Sequence, residues 1–489
     1  MTITNFVSSI QNIMRNDSGV DGDAQRIEQM TWILFLKILD AKEENWSFYN
    51  DDYESIIPNK LRWRNWAIDT KDGKALTGDE LLYFVNNELF PGLQKIELDE
   101  NSPKNQIVVK EVFTDNHNYM KDGILLRQVI NVINEIDFES YDEIHAFGEI
   151  YEKILKDLQS AGHAGEFYTP RAVTDFMAEM LEPKIGEKIA DFACGTGGFL
   201  TSVLNILKKQ TVTIDDQELY KKSIFGIEKK TLPYMLCVTN MFLHDLDNPD
   251  IIHGNSFDKN VRDYKEEDKF DVILMNPPYG GNEKKDVQNN FPIELRSSET
   301  ADLFLSVIMY RLKENGRAAV ILPNGFLFGT DNTKVSIKKK LLNEFNLHTI
   351  IRMPHSVFAP YTSIQTNILF FDKTGPTKDM WVYRMDMPEG YKHFSKTKPI
   401  KLEHFDKTKE WWNNRKNIEI EGFDKARKYS IDEIVENEYN LDLCGLHDKE
   451  DDILSPEELI NDYQRERTEL DSKIDDTLND IKEILGYEE

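Results

Sequence analysis

Cysteine is scarce in this chain: Cys194, Cys237 and Cys444 are the three in 489 residues, widely spaced and odd in number. That excludes a disulfide frame and a zinc-ligand cluster, and it fits a reducing compartment. Long apolar runs are also missing, since none approaches the ~18 residues of a membrane helix. The opening MTITNFVSSI has neither the basic start nor the apolar block of a signal peptide. The expectation is a cytoplasmic protein with no membrane contact and no metal site. Positive charge is short as well, with a formal net charge of −28. A protein that grips nucleic acid alone needs Lys and Arg against phosphates. The deficit is uneven: residues 430–489 carry 21 acidic against 5 basic residues. Lys338-Lys339-Lys340 is the longest basic run and reads as a solvated helix face. No internal repeat of 20–50 residues and no Walker A motif is visible, so a helicase motor is excluded.

What is present is enough apolar material for real cores, 40% of residues, in a length that suits about three domains of ~150 residues. Residues 1–157 read as a helical domain. Ile27, Met30, Ile33, Leu34 and Ile38 recur at helical spacing, and Leu125 to Ile136 and Ile144 to Leu158 repeat the pattern. KLRWRNW (60–66) alternates basic and aromatic residues; packing of Trp63 and Trp66 against neighbouring helices is favoured over nucleic-acid contact.

Residues 158–400 alternate strands with helices. KIADF, SIFGIE, DIIHG, FDVILM, GRAAVILP, HTIIRMP and QTNILFF read as strands, with helices starting at Gly198 and Asp302 and another running to His244. That alternation is the signature of an α/β doubly wound, Rossmann-like sheet. Residues 401–489 read as a helical, acidic, partner-binding region. Ser455-Pro456-Glu457-Glu458 supplies a helix start, after which Ile460, Tyr463, Leu470, Ile474, Ile481 and Ile484 share one heptad seam.

The informative stretches sit at predicted strand ends. DFACGTGGFL (191–200) follows a short strand and opens a helix, with glycines that let the backbone approach a ligand. Its G-x-G-G spacing is not that of a dinucleotide fingerprint. The next strand ends in FGIE, where the Glu228 carboxylate suits a ribose diol. A third ends at Gly254-Asn255-Ser256, whose polar groups suit an adenine edge. FDVILMNPPYGGN (270–282) ends a buried strand abruptly on two prolines. Each fixes φ near −65° and pushes the residue before it toward extended geometry. Asn-Pro alone is also an ordinary turn signal.

Taken in order, DFACGTGGFL, FGIE, HGNS and LMNPPYGG resemble the S-adenosylmethionine-dependent amino-methyltransferases. GEFYTPRAV (165–173) resembles their cofactor motif, and its place before the glycine loop is similar to the gamma order of adenine-N6 DNA methyltransferases. The wider pattern, through TADLFLSVIM and LPNGFLF to the helical tail, resembles the modification subunit of type I restriction–modification systems. One departure is Phe192, where many relatives have proline.

The resemblance implies transfer of a methyl group from S-adenosylmethionine to the N6 amine of adenine in duplex DNA. It assigns the target amine to the Asn276 side-chain oxygen and the Pro277 carbonyl, with Pro278 aiming that carbonyl and Tyr279 stacking on a flipped base. It gives the methionine end of the cofactor to Glu166, Phe167, Tyr168, Thr169, Pro170 and Arg171. Asp191, Gly195, Thr196, Gly197, Gly198 and Phe199 complete the cofactor loop, Glu228 takes the ribose and Asn255 the adenine. Phe199 also reads as core. Implied partners are a DNA specificity subunit, a second copy of the chain and a restriction (helicase/nuclease) subunit. NPPY also occurs in methyltransferases acting on protein glutamine or RNA, and a non-catalytic assembly subunit is a further alternative. Intact Asn276 and Glu228 argue against the last.

Overall fold

The computed structural model describes residues 3–49, 51, 53–69, 75–98, 102, 104–135, 151, 168–359, 362, 364–395, 397–420 and 422–443. Between 463 and 477 it describes 463–465, 467, 468, 470–472, 474 and 477. Elements below belong to those residues.

The first region is helical, as its periodicity indicates. Helix α1 spans Ile3–Met14 and α2 spans Gly22–Tyr49. Ile27, Met30, Ile33, Leu34 and Ile38 of α2 are all buried. Helix α3 (Gly123–Asn134) starts where the Asp122 carboxylate accepts from the Ile124 and Leu125 amides. Trp63 and Trp66 pack edge to face at 5.2 Å. Their indole N–H groups donate to Asn134 Oδ1 at 2.9 Å and to the Leu61 carbonyl at 3.1 Å. The basic–aromatic segment is therefore structural. The expected helix from Ile144 to Leu158 lies outside the described residues except for Tyr151.

The sheet has ten strands: β1 Ile189–Asp191, β2 Ile224–Glu228, β3 Ile251–His253, β4 Phe270–Met275, β5 Leu312–Pro323, β6 Asn346–Arg352, β7 Thr366–Asp372, β8 Asp379–Arg384, β9 Ile418–Ile420 and β10 Phe423–Ser430. Their order is β3-β2-β1-β4-β5-β7-β6-β8-β10-β9. Strands β1 to β6 run parallel where they pair, and β7 is inserted antiparallel between β5 and β6. Chain order reverses between β1 and β4, the place where an open α/β sheet leaves a crevice at its carboxyl ends.

Both faces are covered, which is why β4 reads as a continuous apolar run. Val272 and Leu274 join the core under α4 (Arg171–Leu181), α5 (Gly198–Lys208) and α6 (Thr231–Leu243). Ile273 and Met275 join the core under α7 (Thr300–Arg311) and α8 (Asn332–Glu344). Helix α6 is buried from Leu232 to Leu243 because the helical region packs on its outer side. Phe35 meets Phe242 at 6.1 Å, and the Tyr151 hydroxyl donates to the Leu236 carbonyl at 2.9 Å.

Two findings depart from the sequence reading. The sheet does not stop near residue 400: β9 and β10 extend it to Ser430, inside the stretch expected to be helical. Their charge-rich sequences (IEI, FDKARKYS) hide them, since antiparallel strands with a solvated face need no apolar run. Lys338 is fully buried, not on a solvated face. Its ammonium donates to the carbonyls of Leu327 at 3.0 Å and Gly329 at 2.8 Å, and burial pushes its pKa down to about 8. Phe192, the departure in the cofactor loop, walls an aromatic nest with Phe225 and Phe270. The buried Arg311 guanidinium lies 4.6 Å from the Phe192 ring and 4.9 Å from that of Phe270.

Candidate active site

Four strand ends converge on one cleft of about 350 Å³. It is lined by Gly195 after β1, Glu228 at the tip of β2, Asn255 after β3, and Asn276 to Tyr279 after β4. Tyr168 closes one side.

The glycine loop earns its glycines at two positions. Gly195 and Gly197 have φ of +55° and +82°, a left-handed region costly for other residues. A β-carbon on Gly197 would also lie 3.0 Å from Cys237 Sγ. One on Gly195 would meet nothing within 4 Å, so the backbone there faces the open cleft. The Gly195 amide donates to Glu228 Oε2 at 2.9 Å, and the Lys230 amide donates to Oε1 at 2.8 Å. The carboxylate is thus held by two backbone amides with its oxygens at the cleft. Asn255 Oδ1 accepts from the Phe257 amide at 3.2 Å.

At the other end, the Asn276 amide is held from both sides. Its Nδ2 donates to Thr169 Oγ1 at 2.9 Å, and its Oδ1 accepts from the Tyr279 hydroxyl. The Pro278 carbonyl accepts from Thr300 Oγ1 at 2.8 Å, whereas no group among the described residues donates to the Pro277 carbonyl. The rigid dipeptide therefore has one carbonyl anchored into α7 and the other left as an acceptor.

Eight residues to which the resemblance assigns a site role line the cleft: Tyr168, Gly195, Glu228, Asn255, Asn276, Pro277, Pro278 and Tyr279. Others stand behind it. Pro170 caps α4, and Arg171 Nη1 donates to the Gly198 carbonyl at 2.8 Å and Thr201 Oγ1 at 2.6 Å, tying α4 to α5. The Thr196 carbonyl accepts from Asn240 Nδ2 at 3.2 Å. Phe199 is buried in the core and does not line the cleft. Asp191 is buried, its Oδ1 accepting from the Ala193 amide at 3.0 Å, and burial pushes its pKa up to about 8. Glu166 and Phe167 lie outside the described residues. Sequence reasoning missed Thr300, Phe358 and Thr362, which also line the cleft. Thr300 opens the quoted TADLFLSVIM segment, but nothing in that string marks its hydroxyl for the NPPY loop.

Among the described residues there is no group of three or more His, Cys, Asp or Glu that could hold a metal ion. No described helix is long and apolar enough to cross a membrane.

With this geometry in hand, comparison with known proteins is decisive. The family described as N-6 DNA Methylase matches residues 142–452, and the HsdM N-terminal domain matches residues 3–133. The methylase subunit of the type I restriction enzyme EcoEI from Escherichia coli is 48% identical over 99% of this chain and 98% of its own length. The chain belongs to the type I restriction enzyme methylase subunits. It is an adenine-specific DNA methyltransferase, with an N-terminal helical region and a Rossmann-like sheet. A crystal structure from Vibrio vulnificus YJ016, assigned as a type I modification subunit, is similar at 42% identity and a TM-score of 0.77, covering 88% of this chain and 92% of that one. A chain solved in work on assembly and conformational transition of the type I R-M system is similar at 34% identity and a TM-score of 0.81, covering 100% of this chain and 99% of that one.

Proposed function

We propose that the cleft holds S-adenosylmethionine and a flipped adenine end to end, and that a specificity subunit supplies the DNA reading. The observation that supports this is the shared cleft: Glu228 and Asn276 line opposite roles of one cavity, behind a glycine loop whose backbone faces it. The residues fit the cofactor. A carboxylate at a strand tip suits a ribose diol, polar Asn255 suits an adenine edge, and the open face of Gly195 admits a chain passing close to the backbone.

The bound cofactor supplies an electrophilic methyl group on sulfur. The chain's task is to present a nucleophile. The exocyclic amine of adenine is a weak one because its lone pair is delocalised into the ring. Asn276 Oδ1 and the Pro277 carbonyl would accept its two N–H bonds, favouring a pyramidal nitrogen with a localised pair. Pro278, anchored by Thr300, keeps these acceptors in place, so preorganised dipoles and positioning carry the rate. Tyr279 would stack on the extruded base. A net charge of −28 supports delegating most phosphate contacts to a partner. A second copy of the chain and a restriction subunit complete the proposed assembly, which fits a cytoplasmic protein.

Calorimetry and product analysis test this reading. The purified chain should bind S-adenosylmethionine, and Glu228→Ala should weaken that binding at least ten-fold. With the specificity subunit added, digestion of methylated duplex should release N6-methyladenine. Normal cofactor affinity in Glu228→Ala would remove Glu228 from the ribose. Methyl groups found on RNA or protein but not on adenine would overturn the function.

A further inference from the structure

We infer that Thr169 is a positioning residue for the transfer step: its hydroxyl holds the Asn276 carboxamide in the place and plane from which its oxygen faces the target amine. The inference rests on the proposed role of Asn276 as acceptor. A carboxamide has two ends of nearly equal size and opposite chemistry, one accepting and one donating. Turned by half a rotation, Asn276 would present N–H to an adenine N–H, and the site would repel what it must hold. A hydroxyl can pair with either end, so what a pin at Thr169 fixes is the position and plane of the carboxamide. Thr169 Oγ1 accepts from Asn276 Nδ2 at 2.9 Å, which leaves Oδ1 as the end that the Tyr279 hydroxyl reaches.

Thr169 is well placed to act as a fixed point. It immediately precedes Pro170, whose carbonyl accepts from the Val173 and Thr174 amides at 2.9 and 3.2 Å as α4 begins. Two residues on, Arg171 is bonded to Gly198 and Thr201 at the start of α5. The hydroxyl therefore stands on backbone joined to the helix that the glycine loop opens, and it reaches across to the NPPY loop. Thr169 does not itself line the cleft, while Asn276 does. This placement separates it from a cofactor contact, the role that sequence resemblance gives it.

The test is Thr169→Val, which keeps shape and removes the acceptor, with Thr169→Ser as its conservative partner. Single-turnover methylation is measured for the chain assembled with its specificity subunit, alongside the dissociation constant for S-adenosylmethionine. Losing one hydrogen bond that orients a half-buried group should slow transfer about ten-fold. Cofactor affinity should stay within about two-fold, and Thr169→Ser should recover most of the rate. A wild-type rate in Thr169→Val, a matching loss of cofactor affinity, or a serine variant as slow as valine would each overturn the inference. Failure of the underlying reading is distinguishable: Asn276→Ala itself would then retain transfer.

Discussion

The hydroxyl of Tyr279 donates its hydrogen bond to Oδ1 of Asn276, the oxygen that the proposed chemistry reserves for the adenine amine. The phenol satisfies an acceptor that lines the cleft, and burial raises its pKa, keeping it a neutral donor. An arriving amine has to displace it. The ring, by contrast, is free of that competition and offers a stacking face.

Tyr279→Phe should therefore keep transfer within a few-fold of wild type, because only the displaced hydroxyl is lost. Tyr279→Ala should fall roughly 10- to 100-fold, the usual loss when a stacked aromatic is removed. Steady-state methylation of the assembled complex reads both. Equal losses in the two variants would show that the hydroxyl, not the ring, is what the reaction uses.

A second expectation concerns acid. His348 is held by burial, with the Arg415 guanidinium adding to the effect, at a pKa lowered to about 4. In the unfolded chain it titrates near 6.5. Between those values the unfolded state binds the proton and the folded state does not. Stability linked to His348 is thus complete above pH 6.5 and is lost as pH falls toward 4, at no more than about 1.4 kcal/mol per pH unit. Melting curves at pH 7 and pH 5 should show a smaller drop for His348→Gln than for wild type. An identical drop would mean that His348 does not titrate as its burial implies.

A third expectation concerns the tail. Tyr463, Leu470 and Ile474 are 64%, 58% and 54% exposed on helical backbone, an apolar seam turned to solvent. Ile460, Ile481 and Ile484, and the helix start at Ser455, lie outside the described residues. Changing Leu470→Asp and Ile474→Asp together should leave the melting temperature and cofactor affinity of the lone subunit unchanged. Assembly with the specificity subunit, and DNA methylation with it, should fail. Loss of stability in the lone double mutant would place the seam on its own subunit instead.

Much of this was legible in the residues, for physical reasons. Strands β1, β4 and β7 and the later parts of β5 and β6 are buried on both faces, so they announce themselves as apolar runs between turn residues. That Glu228, Asn255 and Asn276 share one cleft was legible because an open α/β sheet brings its strand ends together. Trp63 and Trp66 were read correctly as packing. The last two strands, β10 and the edge strand β9, were not legible, because half-exposed antiparallel strands carry charge. Lys338 was misread, because a lysine can be buried when two carbonyls receive its ammonium. Thr300 and the pairing of Thr169 with Asn276 are contacts between segments 22 and 107 residues apart in the chain, which no local pattern records.

The central claim is that Asn276 accepts the target amine and does not bind the cofactor. Its most direct test is Asn276→Ala in the chain assembled with its specificity subunit, measured twice on one preparation. Single-turnover transfer to duplex should disappear, while the calorimetric dissociation constant for S-adenosylmethionine stays within a few-fold of wild type. Transfer that persists at saturating cofactor and DNA, or cofactor binding lost along with it, would contradict the account.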